Sequence, residues 1–425
     1  MKEIMLKAAD FNGLTEDDII GAVRASLYEK KDLLKKVLIL PPDFTRMHSG
    51  AGKITALYYE ILKDTCEIDV MPALGSHEPM SEEEIREFFC NIVPVDKVIK
   101  HDWRNDVVKI GEIPREFVEK VSEGLLKEPI PVEINKRLLD PTYDMIISVG
   151  QVVPHEVVGM ANYSKNIFVG CGGREMISSS HILGALVGLE KIMGRDSSPV
   201  RKVFDYAEEH FINNLPILYV LSVTTQNQNK TSIDGLFMGR SRKIFEEAVG
   251  LSQSKNLTLV ERPLKKVIVS LDKREFKSTW VGNKGIYRTR MAIADGGELI
   301  ILAPGVRKFG EDSENDLLIR KYGYIGSSNI IDLCKSNCEL SKNLSAAAHL
   351  IQGSTDGRFT VTYAVDQLTK EEVESVNYRY MPLKKAYEEF KPYNLTEGFN
   401  ILEDGTEAYY IKNPALGLWV DSSRI

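Results

Sequence analysis

Short apolar runs stopped by turn-forming residues set the rhythm of the first half of the chain. Val37 to Leu40 runs into Pro41 and Pro42, Ile68 to Leu74 into Gly75, DMIISV (144–149) into Gly150, and KNIFV (165–169) into Gly170. Runs this short, rich in β-formers and lacking a polar face, predict strands of an α/β sheet covered on both sides. Between them a helix is predicted from Ser81, where Ser81 and Glu84 have capping-box spacing and SEEEIREFF places its acids in the first turn. The second half repeats the pattern. KKVIVSL (265–271), GELIILAPG (297–305) and RFTVTYAV (358–365) predict three further strands, and Thr369 with Glu372 predicts another capped helix start.

Polar, turn-prone material at 250–256 and 261–263 separates the halves. The expectation is two α/β domains, residues 1–255 and 256–399, with the segment 400–425 returning to the first. A chain of 425 residues exceeds what one hydrophobic core usually supports, which agrees with that division. Cys334 and Cys338 are four apart, a spacing for neighbours on a helix rather than for a redox pair, and an odd total of five cysteines argues against a disulfide framework.

Charge narrows the partners. The 61 acidic and 54 basic residues are spread along the chain and leave a net charge of -7, without the basic footprint that nucleic-acid binding requires. The opening MKEIMLKAADFNGL has charges in every apolar stretch, and nowhere do eighteen apolar residues follow one another, so neither a secretory leader nor a membrane span is expected. The expectation is a cytoplasmic protein.

The candidate chemistry falls where strands end. Asp43 and Arg46 follow the first run, His77 the second and His155 the third, while Lys165 opens the fourth and His181 follows its glycine-rich exit. Taken singly, each has an ordinary reading: Asp43 and Arg46 as a turn, His77 or His181 as a helix-start residue, Lys165 as a strand-edge charge. Ligand sites of open α/β sheets lie beyond the carboxyl ends of the strands, so one rule gathers all of them into one crevice. His101 is held in reserve and His48 is given no role. The GCGGRE stretch from Gly170 to Glu175 is neither a dinucleotide fingerprint nor a Walker A loop, but Gly170, Gly172 and Gly173 can bring backbone donors near a phosphate. No zinc or calcium motif is present. His181 alone is an inadequate metal site, and it becomes adequate if a cofactor tethered at Lys165 supplies the other ligands.

These residues resemble the nickel-dependent lactate racemase family. DFTR (43–46), GSHEPMSEEE (75–84) and the His155, Lys165, His181 spacing match successive motifs in order. The resemblance implies two α/β domains with the active site in the cleft between them, and a nickel-pincer nucleotide bonded through a thioamide to Lys165 with His181 as the protein's nickel ligand. It further implies His77 and His155 as alternating acid and base, Arg46 as a substrate-positioning residue and Asp43 as its support. The implied enzyme is an isomerase, a racemase or epimerase that moves hydride from C2 of a 2-hydroxy acid and back through a planar 2-oxo acid. Cofactor biosynthesis and loading proteins are implied as transient partners.

Two departures bear on the substrate. Where the family commonly reads YSGG shortly before the lysine, this chain reads GMANYSK (159–165); where the family reads YQxxKA, this chain has IYRTRMA, with Arg288 for Gln and Met291 for Lys. Arg288 then suits a larger or second carboxylate and Met291 an apolar wall, which points away from ordinary lactate. The competing reading has both on helix faces, one solvated and one packed, with Arg290 a solvated neighbour. Hydride transfer that releases the oxo acid, and a cofactor-binding or sensory protein without efficient catalysis, are the alternative functions.

Overall fold

The computed structural model describes residues 3–28, 33–227, 230–336 and 339–424. Cys334 lies on the helix Ser327–Lys335, and Cys338 is outside the described residues. The chain divides into two compact units: Met1–Leu183 with Ile192–Asn256, and Gly184–Lys191 with Leu257–Ile425. Each is a mixed α/β structure built on its own six-stranded sheet.

In the first unit, Glu67–Val70, Lys36–Leu40, Met145–Gln151 and Ile217–Asn227 lie side by side in that order and run parallel. Lys230–Gly239 turns back against Ile217–Asn227, and Ile4–Lys7 closes the edge, both antiparallel. The apolar runs have no polar face because neither face meets water: Val37, Leu38, Ile39 and Leu40 are all fully buried. One face packs Ile39, Ile147 and Val220 against Val23 of the helix Glu16–Leu27 and Ile54 and Tyr58 of the helix Ala51–Leu62. The helix Glu82–Phe88 starts at Ser81 with the expected reciprocal cap.

The chain leaves Lys36–Leu40 toward Glu67–Val70 on one side and later lays Met145–Gln151 on the other. Adjacent strands whose connections depart in opposite directions define a crevice at their carboxyl ends. KNIFV, expected as a strand, is instead a single wide helical turn, Asn166–Gly170, seated at that crevice. A short apolar run cannot by its pattern tell a buried strand from a buried turn. The deciding residue is polar: buried Asn166 donates from Nδ2 to Leu40 O at 3.1 Å and to Ser148 Oγ at 2.9 Å, one acceptor on each of the two diverging strands. An in-line strand offers no such bridge.

The second unit orders its strands Arg379–Pro382, Phe359–Val365, Ile293–Leu302, Leu264–Ser270, Glu407–Ile411 and Gly398–Ile401, parallel except for the last pair. The three strands expected here are all present, and Thr369 caps the helix Lys370–Ser375 as its spacing requires. The polar stretch 250–256 forms the end of the helix Arg242–Asn256, and the change of unit follows it directly. The terminal segment contributes Gly398–Ile401 and Glu407–Ile411 to this sheet and pairs Leu418–Asp421 with Leu257–Val260.

Replacing Asn166 by Ala strands two buried acceptors at once. The expected result is a loss of about 1–3 kcal/mol of stability, read as a lower urea midpoint with an unchanged slope; an unaltered midpoint would remove the bridge from the account.

Candidate functional site

Asp43 begins the short helix Phe44–Ser49 beyond the strand Lys36–Leu40. Its Oδ1 accepts from Thr45 N at 3.0 Å and Thr45 Oγ1 at 2.5 Å, and its Oδ2 faces His77 Nδ1 at 2.6 Å. Burial works against the charged carboxylate, but the charge and hydrogen bond of His77, the Thr45 bond and the Arg46 charge outweigh it and hold Asp43 at about 2. A carboxylate ionised at every working pH takes the Nδ1 proton of His77 as its hydrogen-bond donor. The lone pair of neutral His77 is therefore on Nε2.

His155 has the opposite arrangement. It occupies a tight hairpin, Pro154–His155 against Gly159–Met160, and its Nδ1 accepts from Val157 N at 3.1 Å. Neutral His155 therefore carries its proton on Nε2, the nitrogen 3.9 Å from Glu156 Oε1. One histidine thus presents an acceptor nitrogen and the other a donor.

Lys165 follows this hairpin and opens the turn that Asn166 anchors. Burial lowers its ammonium first, the Arg46 and Arg201 cations push in the same direction, and Glu156 and Asp43 oppose them; the result is about 8. His181 rides the helix Arg174–Val187, where Nδ1 donates to Ile177 O at 2.6 Å and leaves the lone pair on Nε2. Burial, with repulsion from Lys165 and His77, lowers its pKa to about 4 against the opposing pull of the Ile177 carbonyl and Glu156. The imidazole is neutral at neutral pH, the form that binds a metal. Among the described residues no group of three or more His, Cys, Asp or Glu side chains is arranged to hold a metal ion. The donor set thus fits a metal only when the metal brings ligands of its own, and a lysine amine near neutrality is a suitable point of attachment for its carrier.

The glycine stretch has a strong packing rationale. A Cβ at Gly172 would sit 1.9 Å from Phe168 O, one at Gly170 would sit 2.6 Å from Ala73 Cβ, and one at Gly173 would sit 2.3 Å from a Glu133 carboxylate oxygen. That carboxylate also accepts from Glu175 N at 3.0 Å, so a side chain of this unit already serves the start of the helix Arg174–Val187. His101 is buried, bonded to Gly172 O and Asn135 Nδ2, and braces the same stretch.

The structure brings Asp43, Arg46, His77, Lys165 and His181 within electrostatic reach of one another and adds Glu156, which couples to Lys165 and His181 and neighbours His155. Glu156 was absent from the sequence candidates, although a carboxylate inside the apolar QVVPHEVVGM run was the available signal. Among the described residues no carboxylate pairs with Arg46 or Lys165 at ion-pair distance, although Asp43 and Glu156 act on them through space. Asn162 and Tyr163 take left-handed backbone at φ 69° and 58°, on the order of 1–3 kcal/mol of strain each. In the second unit Arg288 lies fully buried on the helix Lys284–Thr289 and donates to Gly417 O at 3.3 Å, and Met291 is partly buried. Arg290 is no solvated neighbour: it is buried and binds Glu190 at 2.7 Å and Gln352 O at 3.0 Å.

An open mixed sheet with charged side chains gathered at its switch point gives the first unit the architecture of an α/β domain, and the comparisons extend that description. Residues 21–193 match the lactate racemase N-terminal domain. The chain is 25% identical over 280 residues to a lactate racemase from Thermoanaerobacterium thermosaccharolyticum, an alignment covering 63% of this chain and 60% of that relative's length. Among solved structures, a protein from Thermotoga maritima superposes with a TM-score of 0.83 at 24% identity over 97% of this chain and 99% of that one. The lactate racemase apoprotein from T. thermosaccharolyticum gives 0.67 at 17% identity over 96% and 93%. The two structural likenesses establish a shared fold. The likeness to the lactate racemase N-terminal domain is confined to residues 21–193, and the chain matches 60% of the length of its lactate racemase relative.

Lys165 should react with small amine-modifying reagents with a midpoint near pH 8, read by peptide mass spectrometry against the other lysines. A midpoint in the ordinary lysine range near 10.4 would show that the crevice does not perturb it.

Proposed function

We propose that this chain is a racemase or epimerase of a 2-hydroxy acid other than ordinary lactate, working with a nickel-pincer nucleotide bonded to Lys165. The observation that carries the reading is the coupling within one site: Lys165 feels Arg46, Glu156 and Asp43, while His181 feels Lys165, Glu156 and His77. A solitary neutral imidazole beside an amine held near neutrality suits a nickel ion carried on a lysine-bound nucleotide. The lactate racemase N-terminal domain match over 21–193 supports the same assignment. When bound, the cofactor supplies the hydride acceptor, chemistry no side chain here provides.

The chain's own residues divide the remaining work. Lys165 would provide the attachment nitrogen and His181 Nε2 the metal ligand, with the backbone at Gly170, Gly172 and Gly173 proposed to lie near the nucleotide's phosphate. Arg46 receives the substrate carboxylate with its planar fork of donors. His77 Nε2 takes the hydroxyl proton, and Asp43 stabilises the imidazolium that results. His155 serves the return proton transfer as an imidazolium: Nδ1 takes a proton from solvent, displacing the hydrogen bond from Val157 N, and Nε2 then gives its proton to the substrate oxygen, leaving a neutral imidazole. The Glu156 carboxylate favours that cation. Arg288 and Met291, which stand where lactate racemases commonly have Gln and Lys, are the departures that point away from lactate. Attachment of the nucleotide calls for transient contact with loading proteins, in the cytoplasm.

Intact-protein mass spectrometry after co-expression with cofactor-producing machinery tests the assignment. The wild-type chain should carry a covalent nucleotide adduct and nickel, and Lys165→Ala should fold without the adduct; an adduct retained on Lys165→Ala overturns the attachment site.

Asp43→Asn should lower kcat/KM by roughly 10²–10⁴-fold, the usual worth of positioned acid–base catalysis. The factor should be the same for both stereoisomers, because a variant enzyme cannot alter the equilibrium between them. A loss under tenfold would show that the Asp43–His77 couple does not carry the proton.

A further inference from the structure

We propose that Arg201 is a positioning residue for Lys165, its buried guanidinium clamping the left-handed turn from Met160 to Ser164 so that the lysine leaves the chain into the site. Arg201 is fully buried on the helix Pro199–Phe211. Its Nη2 donates to Met160 O at 2.7 Å and Asn162 O at 3.2 Å, and its Nη1 donates to Ser164 Oγ at 2.9 Å. The three acceptors belong to alternate residues that end one position before Lys165.

The conformation needs such a clamp. Asn162 and Tyr163 both hold positive φ, where side chains other than glycine rarely settle. Asn162 Oδ1 accepts from Tyr163 N at 2.7 Å, and the Tyr163 ring lies between Tyr219 and Phe245 with its Oη donating to Arg240 O at 3.0 Å. The Arg201 guanidinium in turn stacks 4.4 Å from the Phe245 ring. Ser198, which caps the arginine's helix, donates from Oγ to Val158 O at 2.8 Å and ties the other end of the hairpin. Arg201 Nε has no hydrogen-bond partner among the described residues. A brace wanted only for packing is better made from apolar side chains than from a buried, incompletely solvated cation. What a planar fork adds is directional control over several acceptors at once.

The proposal builds on Lys165 as the attachment residue, yet its test needs no cofactor. The groups that face Lys165 are Arg46, Arg201, Glu156, Asp43 and His181. In the apoprotein, the pH midpoint of Lys165 modification by acetic anhydride is measured for the wild-type chain, Arg201→Met, Arg201→Lys and Ser164→Ala, with near-ultraviolet circular dichroism reporting the fold. If Arg201 acts through the geometry of the turn, Arg201→Met and Arg201→Lys both move the midpoint upward, about tenfold in proton affinity, and Ser164→Ala moves it the same way by less. A wild-type midpoint in folded Arg201→Lys overturns the clamp, because charge alone then suffices. Should the Arg201 variants fail to fold, Asn162→Val, which disfavours the left-handed turn while leaving Arg201 in place, must raise the midpoint and Asn162→Gly must leave it unchanged; equal midpoints for these two overturn the proposal. Failure of the attachment reading shows separately, as an adduct that persists on Lys165→Ala.

Discussion

The bridge from Asn166 to Leu40 O and Ser148 Oγ is the constraint on which the site depends. Two parallel strands whose connections depart in opposite directions leave a gap at their carboxyl ends, and something must satisfy the polar groups that line it. A single carboxamide does so here. Because Asn166 is fixed between the strands, Lys165 beside it is fixed at the same crevice, as are Asp43 just beyond Leu40 and His155 just beyond Gln151. The turn that Asn166 begins then leads through Gly170 to the helix that carries His181. One buried amide thus sets the origin from which lysine, carboxylate and imidazoles are all placed.

The electrostatics follow from that placement. Asp43 is the one strongly stabilised anion of the couple, and its partners are arranged so that its charge survives burial. Lys165 and His181 experience the reverse: desolvation and neighbouring positive charge make their neutral forms accessible. Had Asp43 been placed instead beside Lys165, the amine would be held as an ammonium. One carboxylate thus serves His77, while another, Glu156, neighbours His155 and acts on the lysine.

Strand ends were legible because a fully buried parallel strand must be a short apolar run closed by turn residues, and the topological rule then assigned Asp43, Arg46, His77 and His155 to one crevice. KNIFV misled for a physical reason: its three-residue apolar run is shared by strands and buried turns, and the residue that decides between them, Asn166, acts through partners 126 and 18 positions away. The glycines of 170–173 were legible as a need for bare backbone, whereas the neighbours that impose it, Phe168, Ala73 and Glu133, were not. Arg288 and Arg290 look alike in IYRTRMA, and only three-dimensional packing buries both.

The turn before Lys165 shows how one conformation can be specified in two ways. Glycine lowers the intrinsic penalty of positive φ but leaves the unfolded chain with more freedom to lose. Asn162 and Tyr163 accept the penalty and recover it through tertiary structure: the Met160 and Asn162 carbonyls are gripped by Arg201, and the tyrosine ring packs against Tyr219 and Phe245. The second solution makes the lysine's position depend on the helix Pro199–Phe211 and on Phe245, which lie far from it in sequence. Substitutions in either element therefore reach the site through the turn, without touching any residue that meets a ligand.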